Sequence, residues 1–453
     1  MAFSVGSNGT VHPAVDRARG WFTPALSAVF LAAFITVLSS AAGLGAEEKN
    51  RSGGERVDAL VEHGATEVEP ELDANFSPRD LGAPAVERAI LSNATIPAML
   101  WAIERYAAII SKGGWQTIPD GPMLRVGSRG DRVVLLRRRL AITGDLKQQA
   151  GDPKTFDSLV EHAVRRFQFR HGLRPDGAVR GETLDALNVP AFERLRQLRT
   201  NIVRINTFLK DLPPSYLMVN IPAAEIEAVE EGLVASRHTA IVGKPERETP
   251  VLISKIRELN FNPYWHVPQS IVARDIIPQM QKDPGYLERY IIRVYTQKGD
   301  EVDPRSINWF TLDPKKYLFR QDPGEDINSL GAVKLNFANE YAVFLHDTPQ
   351  KNLFSENFRY FSSGCVRVQN VEQLLLWLLR DNEDFYWSRR EIDSLIGSGE
   401  RVDVELTAPK PLYIVYITAW ANPDGPVQFR NDIYQRDVPG ETATAVQDFS
   451  NAN

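Results

Sequence analysis

Phe344-Leu345-His346-Asp347-Thr348-Pro349 and, after a short spacer, Arg359-Tyr360-Phe361-Ser362-Ser363-Gly364-Cys365-Val366-Arg367-Val368 are the two stretches whose reading decides the fold. Both are rich in the β-branched and aromatic residues that favour strands. The first delivers His346, and a Ser-Ser-Gly turn in the second delivers Cys365. Asn370 then stands where it would cap an apolar helix over 371–379.

A free thiol with a pKa near about 8.5 holds little thiolate at neutral pH. A neighbouring imidazole takes the proton and holds an ion pair. His346 is therefore the candidate base and Cys365 the candidate nucleophile for attack on an amide carbonyl. Gly364 permits close backbone approach, so the N–H groups of Gly364 and Cys365 are the expected oxyanion hole. Arg367, two positions beyond Cys365, shares its face if the segment is extended. It is read equally as a guide for a substrate carboxylate or the thiolate and as half of a structural ion pair. Ser363 is read as orienting His346 or substrate, or as a plain turn residue. Tyr264 and Trp265 are candidates for the cleft wall, although aromatics in a β domain are more often core. The Asp347 carbonyl is a candidate for fixing the imidazole tautomer, a contact that sequence does not show. His266 is read as a satisfied histidine.

Cys365 is the only cysteine in 453 residues. The N-terminus makes that count informative. Arg17 and Arg19 precede an apolar run from Trp21 to Leu38, small residues follow to Ala46, and then come Glu47 and Glu48. This order predicts export, with cleavage after Ala46 or retention of the run as a membrane anchor. An exported chain stabilised by cysteine would carry pairs. The composition is otherwise ordinary, with 43% hydrophobic and 24% charged residues, and the net charge of -6 argues against a nucleic-acid partner.

Residues 47–75 are polar and acidic and read as a linker, and 76–120 as a small helical scaffold, with a helical pattern from Ala83 stopped by Gly113 and Gly114. Over 121–190, Asp131 is placed to cap a helix carrying Val133, Leu136 and Leu140. A second helix carries Phe156, Leu159, Val160, Ala163, Val164 and Phe167 in one apolar stripe. The turn Arg174-Pro175-Asp176-Gly177 leads to a short helix around Thr183, Leu184 and Leu187. With Gly130, Leu140, Gln168 and Gly172 at their positions, this segment resembles the three-helix peptidoglycan-binding domain. From Tyr216 the texture becomes β, within a domain set at 191–435. It is interrupted by an insertion at about 269–321 with a helical stretch from Ser270 to Met280. The tail 436–453 is expected to fray.

The His-Asp-Thr-Pro to Ser-Ser-Gly-Cys-Val-Arg-Val pattern resembles the L,D-transpeptidases, which have the YkuD-type catalytic domain, in their YcbB-like Gram-negative subgroup. Ser363 stands where many members of the wider family have His. The resemblance extends over roughly 75–430, through Gly113-Gly114-Trp115, Tyr216 to Pro222, Asn262-Pro263-Tyr264-Trp265-His266-Val267-Pro268, Pro323-Gly324 and Leu330-Gly331, with His266 a departure in type. It implies a periplasmic enzyme without cofactor or metal. Its partners would be peptidoglycan stem peptides and glycan strands. The implied reaction acylates the cysteine with a tetrapeptide donor, releases D-alanine and forms a 3-3 cross-link, and the resemblance also implies acylation by carbapenems. An L,D-carboxypeptidase or cross-link hydrolase, and a non-catalytic wall-binding protein, are the alternatives. A zinc peptidase is disfavoured because no His-Glu-x-x-His occurs among the seven histidines, and a penicillin-binding serine enzyme because no Ser-x-x-Lys lies near Ser362 or Ser363. The expected fold class is thus multidomain α+β: a helical scaffold, a three-helix module, and a mostly β catalytic domain with an inserted lid.

Overall fold

The computed structural model describes residues 87–148, 150–324, 326–382, 386–423, 425–438 and 446–452. The export segment expected over 1–46, the linker over 47–75 and the start of the helical pattern at Ala83 lie outside those residues. No helix among the described residues is long and apolar enough to cross a membrane.

The described chain opens with helices α1 (Thr95–Ser111), α2 (Asp131–Thr143), α3 (Ser158–Arg170), α4 (Gly181–Asn188) and α5 (Ala191–Leu209). A single amphipathic helix cannot bury its own stripe. α1 accordingly lays Met99, Ala102 and Tyr106 into the same core as Leu198 and Ile205 of α5 and the strands that follow. The scaffold expected as a separate unit is thus one wall of the principal core.

α2, α3 and α4 enclose a second core, in which Val133, Leu136, Leu140, Phe156, Val160, Ala163, Val164, Phe167, Leu184 and Leu187 are all buried. Gln168 fastens the Asp176-Gly177 turn: its amide donates to Asp176 Oδ1 at 2.7 Å and accepts from the Gly177 N–H at 2.8 Å. Two expectations are corrected here. Gly130, not Asp131, occupies the cap position of α2, and the Asp131 carboxylate instead meets Lys154 at 3.0 Å. Leu159 is 37% exposed, because it falls beyond the edge of the stripe that Val160 and Val164 define.

The strands are β1 (Ser215–Asn220), β2 (Glu225–Glu230), β3 (Leu233–Gly243), β4 (Leu252–Phe261), β5 (Trp265–His266), β6 (Ile292–Thr296), β7 (Glu301–Val302), β8 (Tyr317–Gln321), β9 (Val333–Phe337), β10 (Leu345–His346), β11 (Tyr360–Ser362), β12 (Val366–Val368) and β13 (Val402–Val415). The principal sheet runs β11-β3-β12-β10-β9-β4-β13-β1-β2, and β2 pairs back onto β3. The length of β3 makes this closure work: Leu233 to Thr239 pair with β2, while Ala240 and Ile241 pair with β12. The sheet therefore curls on itself and leaves little open edge. The helix Val371–Leu379 covers it, with Asn370 at the cap position but in left-handed backbone and without the side-chain capping bond expected of it.

The insertion builds a third core from Trp265, Val267, Ile276, Met280, Ile292, Val294, Trp309, Phe319 and Leu330, around the small sheet β5-β8-β6-β7. Its packing unit is wider than the expected 269–321, because β8 takes β5 as its partner strand. The helical stretch expected over 270–280 consists of Gln269–Ile271, a π-helical turn Val272–Ile276 and Ile277–Lys282. The described parts of the tail, 436–438 and 446–452, are also firmer than expected. Asp437 is buried against Arg204 and Thr418 at 2.6 and 2.7 Å, and Gln447–Asp448 pairs with β4. Buried polar groups at Asp437 give this segment the anchors that a merely polar tail lacks.

Candidate active site

Adjacent strands bring the two halves of the motif together. β10 and β12 run parallel, with Leu345 opposite Val366 and His346 opposite Arg367. Leu345 and Val366 fill the principal core. Alternation then sends His346, Cys365 and Arg367 to the opposite face. They open onto a cleft lined on the other side by Trp265, Pro268, Ile271 and Asp275 of the insertion.

The imidazole is held in one tautomer. A carbonyl oxygen can only accept, so the contact between His346 Nδ1 and the Asp347 carbonyl places the proton on Nδ1. Nε2 is left as the acceptor. Asp347 is itself pinned: its N–H donates to Val333 at 2.9 Å, and its buried carboxylate takes the Ala332 N–H at 3.0 Å and pairs with Lys351.

Burial, reinforced by the Arg367 charge, lowers His346 from 6.5 to about 3. Burial raises the Cys365 thiol to about 11, against the Phe344 backbone, Lys334 and Arg367, which pull it down. Burial thus works against the charged form of each group, and with it against the ion pair expected of them.

The turn that carries Cys365 is cradled by the chain after β3. The Lys244 N–H donates to the Ser362 carbonyl at 3.0 Å, and Thr249 Oγ1 donates to the Gly364 carbonyl at 2.8 Å. Arg247 donates to Ser363 Oγ at 2.8 Å. Gly243 allows this approach, since a Cβ there would lie 2.2 Å from the Arg247 carbonyl. Gly364 has φ +115°, a conformation that L side chains rarely adopt.

That conformation changes one assignment. The Gly364 N–H donates to Ser362 Oγ at 3.1 Å, and the Ser362 hydroxyl donates onward to the Cys365 carbonyl. The Gly364 amide is thus engaged within the turn and is not the oxyanion donor expected of it. The Cys365 N–H has no hydrogen-bond partner among the described residues and is the available donor.

The other expected residues divide. Ser363, Arg367 and Trp265 line the cleft, with Arg367 held by Gln350 at 2.6 Å. Tyr264 does not line it: alternation turns its ring away, onto Arg320 at 4.6 Å. His266 is exposed, on the short strand beside Arg320, and does not line the cleft. The sequence reading passed over Lys334, register partner of His346, with its ammonium 4.4 Å from the Phe344 ring. It also passed over Arg247, Asp275, Gln350 and Thr249, which reach the site from segments far apart in sequence. Among the described residues no group of three or more His, Cys, Asp or Glu converges as a metal site.

Residues 214–404 match the family model described as "L,D-transpeptidase catalytic domain", and residues 129–187 match that described as "Putative peptidoglycan binding domain". A Haemophilus influenzae protein named "Putative L,D-transpeptidase" is 33% identical over 222 residues, covering 49% of this chain and 44% of that protein. The chain thus spans less than half the length of that curated relative. Solved L,D-transpeptidase structures from Xylanimonas cellulosilytica (16% identity, 65% of this chain and 98% of that one, TM-score 0.21) and Stackebrandtia nassauensis (13%, 68% and 98%, TM-score 0.25) are more distant. In an α+β fold, the chain thus matches the model of an L,D-transpeptidase catalytic domain and, ahead of it, that of a peptidoglycan-binding domain.

Proposed function

We propose that this protein is an exported, periplasmic peptidoglycan L,D-transpeptidase that forms 3-3 cross-links, with Cys365 as nucleophile and His346 as base. The observation that carries the reading is the placement of both side chains on one face of β10 and β12, in a cleft, with Nε2 as the free acceptor.

His346 Nε2 takes the thiol proton as Sγ attacks the carbonyl carbon of the donor's L-centre. The Cys365 N–H stabilises the oxyanion. Collapse breaks the C–N bond to the terminal D-alanine, whose leaving amine takes the proton from His346, and a thioester remains. The side-chain amine of a second stem then loses a proton to Nε2 and attacks the thioester. The new amide forms and Cys365 leaves as the thiol. His346 is the base in both half-reactions, because each begins with the loss of a proton from the attacking group. The insertion narrows water access and favours an amine over hydrolysis. The helical module raises the local concentration of wall substrate. Carbapenem acylation of Cys365 belongs to the same proposal.

The test is to incubate the protein and its Cys365→Ala variant with purified disaccharide-tetrapeptide and weigh the products. Cross-linked dimers with loss of D-alanine, absent in the variant, are expected. Tripeptide without dimers would instead identify a carboxypeptidase. Wall binding without turnover would identify a binding protein.

A further inference from the structure

The insertion reaches the nucleophile turn through one buried ion pair. Asp275, in the π-helical turn Val272–Ile276, accepts from both ends of the Arg247 guanidinium at 2.6 and 2.9 Å. The same guanidinium donates to Ser363 Oγ at 2.8 Å. The side chains are only 13% and 9% exposed. Ser363 is followed directly by Gly364 and Cys365, and Asp275 and Ser363 both line the cleft.

A buried ion pair is weak evidence for stability, since desolvating two charges costs about as much as their attraction returns. Its value lies in geometry. A two-pronged guanidinium–carboxylate contact fixes the plane of the guanidinium, and with it the donor aimed at Ser363. π-helical turns are rare and frequently mark functional positions. This one turns Asp275 toward the sheet domain.

We propose that Arg247 and Asp275 are positioning residues through which the inserted subdomain sets the nucleophile turn. By holding Ser363, they aim the Cys365 N–H at the oxyanion. The inference deepens the proposed reading and rests on Cys365 forming an acyl-enzyme. It makes the insertion part of the catalytic apparatus as well as a cover: displacing the helical segment Gln269–Lys282 pulls Asp275, and with it Arg247 and Ser363.

The test separates two reactions of one thiol. Acylation by 4-nitrophenyl acetate passes through a tetrahedral oxyanion, whereas alkylation by iodoacetamide does not. Arg247→Ala is expected to slow acylation about 100-fold, the scale of losing one aligned oxyanion donor, with alkylation changed less than about twofold. Arg247→Lys keeps the charge without the planar fork and should recover only part of the rate. Asp275→Asn covers the case in which Arg247→Ala does not fold, and should lie between the two. Ser363→Ala should slow acylation comparably and add little when combined with Arg247→Ala. Equal acylation in Asp275→Asn and the parent, or a parallel fall in acylation and alkylation, overturns the proposal and leaves a structural salt bridge. A parent protein alkylated by iodoacetamide but never acylated by the ester overturns the acyl-enzyme reading itself, and is recognised without any variant.

Discussion

The protein buries two pairs of ionisable side chains and treats them oppositely. Within the three-helix module, Arg170 and Asp145 are 4% and 5% exposed and meet through two contacts of 2.7 Å. Burial opposes the charge on Asp145, but the Arg170 guanidinium overrides it and holds the carboxyl below its usual range. In the cleft His346 is buried and Cys365 partly buried, and burial works against the charged form of each, although Lys334 and Arg367 favour the thiolate. In the first pair each charge faces its opposite; in the second neither partner supplies the other's counter-charge. Desolvation is common to both sites, and what differs is whether the pair's own partner offsets it.

The largest expected effect breaks the second pair. His346→Gln should slow acylation of Cys365 by about 100- to 10,000-fold, the usual contribution of a positioned general base, with little change in melting temperature; timed intact-mass measurements and a thermal melt check both. Asp145→Ala breaks the first pair and leaves Arg170 buried alone. A loss of about 3–5 kcal/mol in urea unfolding is expected, with the acylation rate of the folded protein unchanged.

The pH dependence sharpens the contrast. His346 takes up its proton near 6.5 when unfolded but only near 3 when folded, so the unfolded chain binds more protons between those values. Its contribution to stability should rise with pH from about 3 to about 6.5 and be absent from His346→Gln in urea titrations. Cys365 releases its proton near 9 when unfolded and near 11 when folded, so its contribution falls over that window and should vanish in Cys365→Ala. The smallest effect concerns the module. Leu159→Ala should change stability by no more than about 0.5 kcal/mol, where Phe167→Ala costs about 3–5 kcal/mol, both readable in denaturant melts.

Local pattern carried much of this. The stripe through Val160, Ala163, Val164 and Phe167 names a buried helix face because helical spacing is a property of neighbouring residues. Leu159 was misplaced because an apolar residue one step off the stripe is indistinguishable by type from its neighbours. The Gly364 amide was misassigned for a related reason. Glycine type signals that the backbone turns, but which way the N–H points depends on Ser362, whose hydroxyl captures it. Tyr264 and Trp265 were read together, although alternation separates them by a face.

The sequence alone determined the chemical inventory: one thiol, a histidine at a strand end, a glycine turn beside the thiol, and a three-helix module ahead of a β domain. Those are matters of residue type and short-range spacing. Only the tertiary structure decided that burial opposes a charge on the imidazole and on the thiol, since that burial comes from segments that lie far apart in sequence. Only it placed Asp275 of the insertion against Arg247 and Ser363. A strand register or a hydrogen bond spanning more than a hundred residues leaves no periodicity in the chain. It exists once β3, β10 and β12 have closed the sheet and brought those residues to one cleft.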